Sequence, residues 1–333
     1  MNSLVVTPPT YKRATNPSPA SIGYTVLPVT VLIATRDRGD SVTSTIRSIT
    51  ACGYPNLTLV VVDQSEDHRT AHAITAMQDV ANLRYISTPT HGLSQALNLG
   101  LAFVNTDLVI VTDDDCVVPP NWIVEMIAPF LRYPRVGLVF CDVVAEACDL
   151  KLGSVPTNVS QRSLLIEDLA HWQTCDGVNL GIGAGMAVRR SAARSISGFD
   201  PSLGSGSRFR SGNDLDFALR MLMSHYQIYR TNRVSIIHHG FRTHAQRRKL
   251  IRNNMFAVGA VCGKLIKCGI WPVLRYYLAV CYSMVLLPTI TSLLRLHKPP
   301  VLGRCLGLTQ GLIAGLSASV DRSRALFNQQ ASD

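Results

Sequence analysis

Residues 108–122 read LVIVTDDDCVVPPNW: four apolar residues in a row, a threonine, then three adjacent aspartates. A continuous apolar run bounded by polar residues is the pattern of a strand buried on both faces. Three neighbouring carboxylates repel one another and call for a cation, and oxygen ligands suit Mg2+ or Mn2+. A single aspartate at a strand end often caps the next helix. Capping needs one carboxylate and leaves the other two unexplained.

Outward from this stretch the pattern repeats. Pro28–Ala34 (PVTVLIA) and Leu57–Val62 (LTLVVV) read as strands, and Asn82–Ile86 as a weaker one. Between them, Asp40–Ala51 carries Val42, Ile46 and Ile49 at helical spacing, and Leu93–Val104 is helical. Apolar strands alternating with such helices predict an α/β fold with a doubly wound, mostly parallel, Rossmann-like sheet. Ligands of these sheets gather at the carboxyl ends of the strands. Those ends carry Thr35-Arg36-Asp37-Arg38, Asp63-Gln64-Ser65 and Asp113-Asp114-Asp115.

The 333 residues suit about two domains, and 47% hydrophobic content excludes a fully disordered chain. Charged residues are 16%, against about 25% in typical domains. The net charge of +10 is unevenly spread: Phe217–Val320 holds fourteen Lys and Arg and no acid. Such a stretch favours anionic partners. Nine cysteines without a CxxC pair exclude zinc ribbons and thioredoxin-like motifs and read as reduced thiols. Residues 1–27 are expected to be a disordered leader rich in Pro, Ser and Thr, without the apolar core of a signal peptide. Residues 241–252 (FRTHAQRRKLIR) carry five basic residues. Tyr276–Leu294 then runs 19 residues without a charge, and Cys305–Val320 is a second apolar run of 16. Residues 246–333 are therefore expected to form a basic, apolar, helical, membrane-associated tail. A spanning hairpin, an interfacial pair and a buried helical subdomain all remain open for it. The expected location is the cytoplasmic face of the cell membrane, peripheral or spanning through residues 270–320.

Five blocks, taken in order, carry a family resemblance. They are VTVLIATRDR (29–38), LTLVVVDQSED (57–67), HGLSQALNLGLA (91–102), the aspartate stretch, and GAGMAVRRSAARSISGFDPSLGSGSRFRSGNDLDFALR (183–220). Together they resemble glycosyltransferase family 2, an inverting family with the GT-A fold, over residues 28–245. The resemblance implies a donor site in which Asp63 accepts a hydrogen bond from the nucleotide base and Thr35 and Arg36 lie beside it. It matches Asp113 and Asp115 to the ends of a DxD motif. Asp113 and Asp114 are then donor-side, Asp115 ligates Mg2+ or Mn2+, and His238, after the strand VSII, completes the metal site. It places the general base at Asp214 within SGNDLDF, with Gly212 and Asp216 in the same block. Asp216 is a structural or acceptor-contacting residue. Asn213 or Asp214 would equally serve as a helix N-cap.

Two departures accompany the match. The family's glutamate before the base is Asn213, and its Ala-Arg-Asn is Ala96-Leu97-Asn98. The missing positive contact is left to Arg36, Arg38 or Arg208. GIGAG (181–185) lacks the last glycine of a dinucleotide fingerprint and lies mid-chain, which excludes NAD. Gly183 and Gly185 read instead as close-packed backbone under the acceptor, and residues 198–209 as a mobile loop over the donor. The expected activity is metal-dependent, inverting transfer from a nucleotide-diphosphate sugar to a glycan or lipid-linked acceptor at an anionic membrane, without nucleic acid. The alternatives are a sugar-phosphate nucleotidyltransferase, which would need a Gly-rich phosphate loop after the first strand, and a catalytically dead glycan- or membrane-binding scaffold.

Overall fold

The computed structural model describes residues 26–169, 180–294 and 301–329. The expected leader lies almost wholly outside them. The first half runs β1 (Val29–Thr35), α1 (Gly39–Thr50), β2 (Leu57–Asp63), α2 (Arg69–Thr75), β3 (Leu83–Ser87), α3 (Leu93–Phe103), β4 (Leu108–Asp113), β5 (Cys116–Val117) and α4 (Trp122–Arg132). The second half adds β6 (Val136–Ala145), β7 (Gly153–Ser154), β8 (Leu164–Ile166), β9 (Met186–Arg189), α5 (Arg190–Ser195), α6 (Asn213–Met223), β10 (Gln227–His238) and β11 (Arg242–Thr243). It closes with α7 (His244–Lys267), α8 (Val273–Cys281), α9 (Leu287–Leu294), α10 (Leu302–Ser317), β12 (Val320–Asp321) and β13 (Leu326–Phe327).

The main sheet has the order β3-β2-β1-β4-β9-β6-β10-β5, with β8 also on β10. It is mostly parallel, and β9 is inserted antiparallel between β4 and β6. Both faces are covered, as the continuous apolar strands require. Val31 and Ile33 point into a core with α1, α2 and α4. Leu32, Val60 and Val62 point into the opposite core with α3, α5, α6 and α7.

Register builds the functional end of the sheet. Thr35 pairs with Asp63 across β1–β2, and Ala34 with Asp113 across β1–β4. The ends of three strands therefore stop level. On the far side, His238 at the end of β10 pairs with Cys116, which sets it beside Asp115.

Three features define the C-terminal third. First, the boundary expected at 245/246 falls inside α7, a 24-residue helix opened by a Thr243–Gln246 capping box. Its first half is exposed and basic, but Ala257–Leu265 is buried. That half, with Val273, Tyr276, Leu308 and Phe327, joins the same core as the sheet. Second, the second apolar run is a partly buried helix. It forms α10 and packs on α7 through Gly307, Gly311 and Gly315. A Cβ at Gly311 would strike the Phe256 carbonyl, and one at Gly259 the Leu308 carbonyl. Third, the first run stays helical through Pro288. The helix continues from Val273 to Leu294 through a π-helical turn at Tyr282–Leu286. The Met284 carbonyl, four residues before the proline, accepts from Arg304 Nη1 at 3.0 Å, which serves the group that proline's missing N–H cannot. Among the described residues this helix is the one long and apolar enough to cross a membrane.

The segment 198–209 is also not a free loop. Phe199, Asp200, Leu203 and Phe209 are buried. Asn98 brackets Phe199 with bonds to its N–H and carbonyl, both 2.8 Å. Its exposed residues are Ser205 and Gly206 at the tip, and Arg208.

Candidate functional site

The three aspartates after β4 go to three different environments. Asp114 turns inward. Its Oδ2 accepts from Thr35 Oγ1 at 2.6 Å and its Oδ1 from Arg38 Nη1 at 2.9 Å. Its carbonyl accepts from Thr45 Oγ1 at 2.9 Å, and the same hydroxyl accepts the Cys116 N–H at 3.1 Å. Asp114 thus pins the β1–α1 loop to the aspartate turn.

Asp115 faces the cleft. Arg38 Nη1 reaches its Oδ2 at 2.7 Å, and His238 Nε2 lies 3.1 Å from its Oδ1. That Oδ1 is buried and has no well-aligned hydrogen bond. Burial opposes ionisation of Asp115, but His238 and Arg38 outweigh it and hold its pKa below the usual carboxylate value. The imidazole shows the mirror image: burial disfavours its charged form, and Asp115 and Asp113 nevertheless raise its pKa. Asp113 Oδ2 is 3.8 Å from His238 Nε2. Burial and the carboxylates of Asp115, Asp114 and Asp214 push Asp113 up to about 6, against the pull of His238.

A divalent cation fits this end of the sheet. Ligand atoms of Asp115, Cys116 and His238 lie within 4.8 Å of one another. An oxygen and a nitrogen face each other there without a proper bond between them. Burial raises the Cys116 thiol far above neutral pH, so it stays protonated. The donor set for a hard ion is therefore Asp115 and His238 with Asp113 beside them.

Asp214 sits on the first turn of α6, near enough to Asp113 for its charge to push the Asp113 pKa up. The N-cap there is Gly212, left-handed at φ +81°, so neither Asn213 nor Asp214 is needed for that role. Asp214 accepts from the Gly183 N–H at 3.2 Å through Oδ2 and from the Leu215 N–H at 2.8 Å through Oδ1. Burial raises its pKa despite those two bonds. A raised carboxylate pKa makes a stronger base.

The other expected residues divide. Asp63 lies at the site, with Oδ2 accepting from Tyr85 at 2.6 Å and Oδ1 from the Ser65 N–H at 2.8 Å. Gly183 is next to Asp214 and open, since its nearest neighbour to an added Cβ is Asp214 at 4.0 Å. Arg36 pairs with Glu66 at 2.8 Å instead of with the aspartates. Gly185 lies under β6: a Cβ there would come 2.8 Å from Cys141 Sγ, so packing against the sheet, not room for a sugar, fixes its size. Asp216 has 0% exposure and cannot touch an acceptor. Its Oδ1 is 2.6 Å from Lys264 Nζ and its Oδ2 2.8 Å from Arg220.

Sequence reasoning missed Tyr85, Thr45 and Lys264. Lys264 had a readable signal: it is a charge on the apolar face of AVGAVCGKLIK, between Val261 and Leu265. A lysine there is buried and must be paired.

Comparisons with known proteins agree on the fold. The family model "Glycosyl transferase family 2" matches residues 30–196. Poly-beta-1,6-N-acetyl-D-glucosamine synthase of Staphylococcus aureus (strains MSSA476 and MW2) is 23% identical over 177 residues, 53% of this chain and 42% of its own length. The chain thus spans less than half of these curated relatives. The mannosyltransferase PcManGT of Pyrobaculum calidifontis, solved with GDP-Man and Mn2+, superposes with a TM-score of 0.58 at 16% identity, covering 88% of both chains. S. aureus TarS 1–349 gives 0.58 at 12% identity, covering 87% of this chain and 81% of TarS. Its complex with UDP-GlcNAc gives 0.53 at 13% identity over 70% and 66%.

Proposed function

The chain belongs to glycosyl transferase family 2, and on that premise we propose that it is an inverting, divalent-metal-dependent glycosyltransferase using a nucleotide-diphosphate sugar. The observation that carries the reading is the pairing of a cation-ready cluster, Asp113, Asp115 and His238, with a basic carboxylate, Asp214, close enough for its charge to raise the pKa of Asp113. Asp115 and His238 would hold Mg2+ or Mn2+, which would supply positive charge to the leaving diphosphate. Asp63 and the β1 end at Thr35 hold the nucleoside. Asp214, kept in place by the Gly183 N–H, takes the proton of the acceptor hydroxyl as its oxygen attacks the anomeric carbon from the face opposite the diphosphate. Gly183 leaves room beside that carboxylate for the acceptor.

The acceptor is a glycan or a lipid-linked sugar, reached from the cytoplasmic face of the membrane. Support comes from the helix Val273–Leu294. Leu274, Leu278, Tyr282, Leu286 and Ile290 recur every four residues and are all exposed. The stretch around them carries fourteen cations and no acid. An exposed apolar stripe amid positive charge suits an anionic lipid surface. The full chain is expected to float with vesicles containing anionic lipid at low salt. Recovery only in the lipid-free fraction overturns the membrane assignment.

The enzymatic reading is tested by nucleoside-diphosphate release across UDP- and GDP-sugars. Release should stop in excess chelator and return with Mg2+ or Mn2+, and an α-linked donor should give a β-linked product. Full activity in chelator, or a retained configuration, overturns it.

A further inference from the structure

Arg38 is the guanidinium in direct contact with the aspartate turn, and it is only partly committed. Its Nη1 alone serves both Asp114 and Asp115. Nε and Nη2 have no hydrogen-bond partner among the described residues, and the side chain is 41% exposed. The neighbouring candidates for a positive contact are engaged or absent. Arg36 is paired with Glu66 and Arg208 lies over the Phe209 ring, while α3 offers only buried Leu97.

The two partners of Arg38 differ. Asp114 is fixed without it, through Thr35 and Thr45. Asp115 is the cleft-facing one, and an ion ligated by Asp115 competes with Arg38 for the same carboxylate. We infer that Arg38 is a diphosphate-binding residue that exchanges Asp115 for phosphate oxygens, and so couples entry of the divalent ion to entry of the donor. Nη1 stays on Asp114 as a pivot while Nε and Nη2, a planar fork, turn to the diphosphate. Diphosphate draws Arg38 off Asp115 and raises the affinity for the ion. By reciprocity the ion raises the affinity for diphosphate by the same factor.

This inference rests on the reading of Asp115 as an ion ligand, and the two fail separately. The test is Mn2+ binding to the full chain, measured by the electron paramagnetic resonance of free Mn2+, with thermal melting to verify folding. Arg38→Met should bind Mn2+ alone about fivefold tighter or more, because a competitor is gone. It should also bind UDP and GDP more weakly than the parent. With the Mn2+ bound by nucleotide alone subtracted from protein-free controls, saturating UDP or GDP should tighten Mn2+ by about fivefold or more in the unmutated chain and by clearly less in Arg38→Met or Arg38→Gln. Unchanged or weaker Mn2+ binding in Arg38→Met, or no tightening by either nucleotide in the parent, overturns the coupling and leaves Arg38 a loop clamp. Absence of Mn2+ binding in every protein and condition overturns the ligand role of Asp115 and the inference with it.

Discussion

Two groups of acids begin two residues apart on α6 and have opposite fates. Asp216 joins Asp200, Lys264 and Arg220 in a buried quartet of two negative and two positive charges. Asp200 Oδ2 takes Lys264 Nζ at 2.7 Å and the Phe327 N–H at 2.8 Å, and its Oδ1 takes the Ser202 N–H at 3.0 Å. Arg220 spends its remaining donors on the Ile196 and Gly198 carbonyls. The quartet's charges balance within the fold, although Asp216 Oδ1, 2.6 Å from Lys264 Nζ, has no well-aligned hydrogen bond. Around Asp214 the acids outnumber the bases: Asp113, Asp114, Asp115 and Asp214 stand against Arg38 and His238. Asp113, Asp114 and Asp214 all have raised pKa values, and Asp115 Oδ1 faces His238 without a proper bond. The charge-balanced group ties α6, α7, the 198–209 segment and the β12–β13 hairpin into one core. The acid-rich group is the one at which, in the proposed function, a cation and a substrate would complete the chemistry.

The comparison breaks most visibly at Asp115. Asp115→Ala should cut turnover roughly thousandfold, since metal stabilisation of the leaving group contributes about 4 kcal/mol. Melting should change little, because Asp114 and Thr45 hold the turn. A fall in melting temperature that accounts for the lost turnover would put Asp115 in the structural group. On the other side, Lys264→Met leaves Asp200 and Asp216 buried with too little positive charge. It should cost about 3–5 kcal/mol of stability by denaturant titration. A stable variant would show the quartet to be dispensable.

The fold was legible wherever apolar runs were continuous. β1, β2 and β4 were each found within two residues of their observed ends, because a strand buried on both faces has no polar interruption. β9 has four residues and is held by partners from distant segments, so periodicity could not reveal it. The carboxylates at the cleft were readable as a cluster because they are contiguous. Residue type and spacing alone do not separate Asp214 from Asp216, since both sit on the first turn of one helix; the family resemblance did separate them, and the approach of Lys264 from α7 supplies the physical difference. Arg38 and Arg36 likewise share one loop, and backbone direction decides which meets the aspartates. The tail's hydrophobicity was evident, but its division into a packed α10 and an exposed α8–α9 depends on where the glycines meet α7.

The pH profile sharpens the contrast. Asp113 titrates up at about 6, and the pKa values of Asp214 and His238 are also raised. Turnover should therefore fall about tenfold per unit as pH drops below about 6, as the base and the ion ligands take protons. The linkage has a definite sign: a raised aspartate stabilises the fold below its unfolded pKa, and that stability is lost as pH rises to about 6. Mn2+ should accordingly raise the melting temperature more at pH 7 than at pH 5. An acid limb near pH 4 would show unperturbed carboxylates.

A smaller effect separates two glycines. Gly185→Ala should cost about 1–3 kcal/mol through the clash with Cys141. Gly183→Ala should stay within about 0.5 kcal/mol in stability and raise only the acceptor KM. Equal destabilisation would remove Gly183 from the acceptor side.

The most direct measurement compares Asp214→Asn with Asp216→Asn, recording turnover per folded molecule and melting temperature for each. Asp214→Asn should lose about 10²–10⁴-fold in turnover with its melting temperature almost unchanged. Asp216→Asn should lose about 3–5 kcal/mol of stability while its folded molecules turn over at nearly the parent rate. Full turnover in Asp214→Asn, or the same pattern in both variants, would contradict the division of α6 into a catalytic and a structural acid.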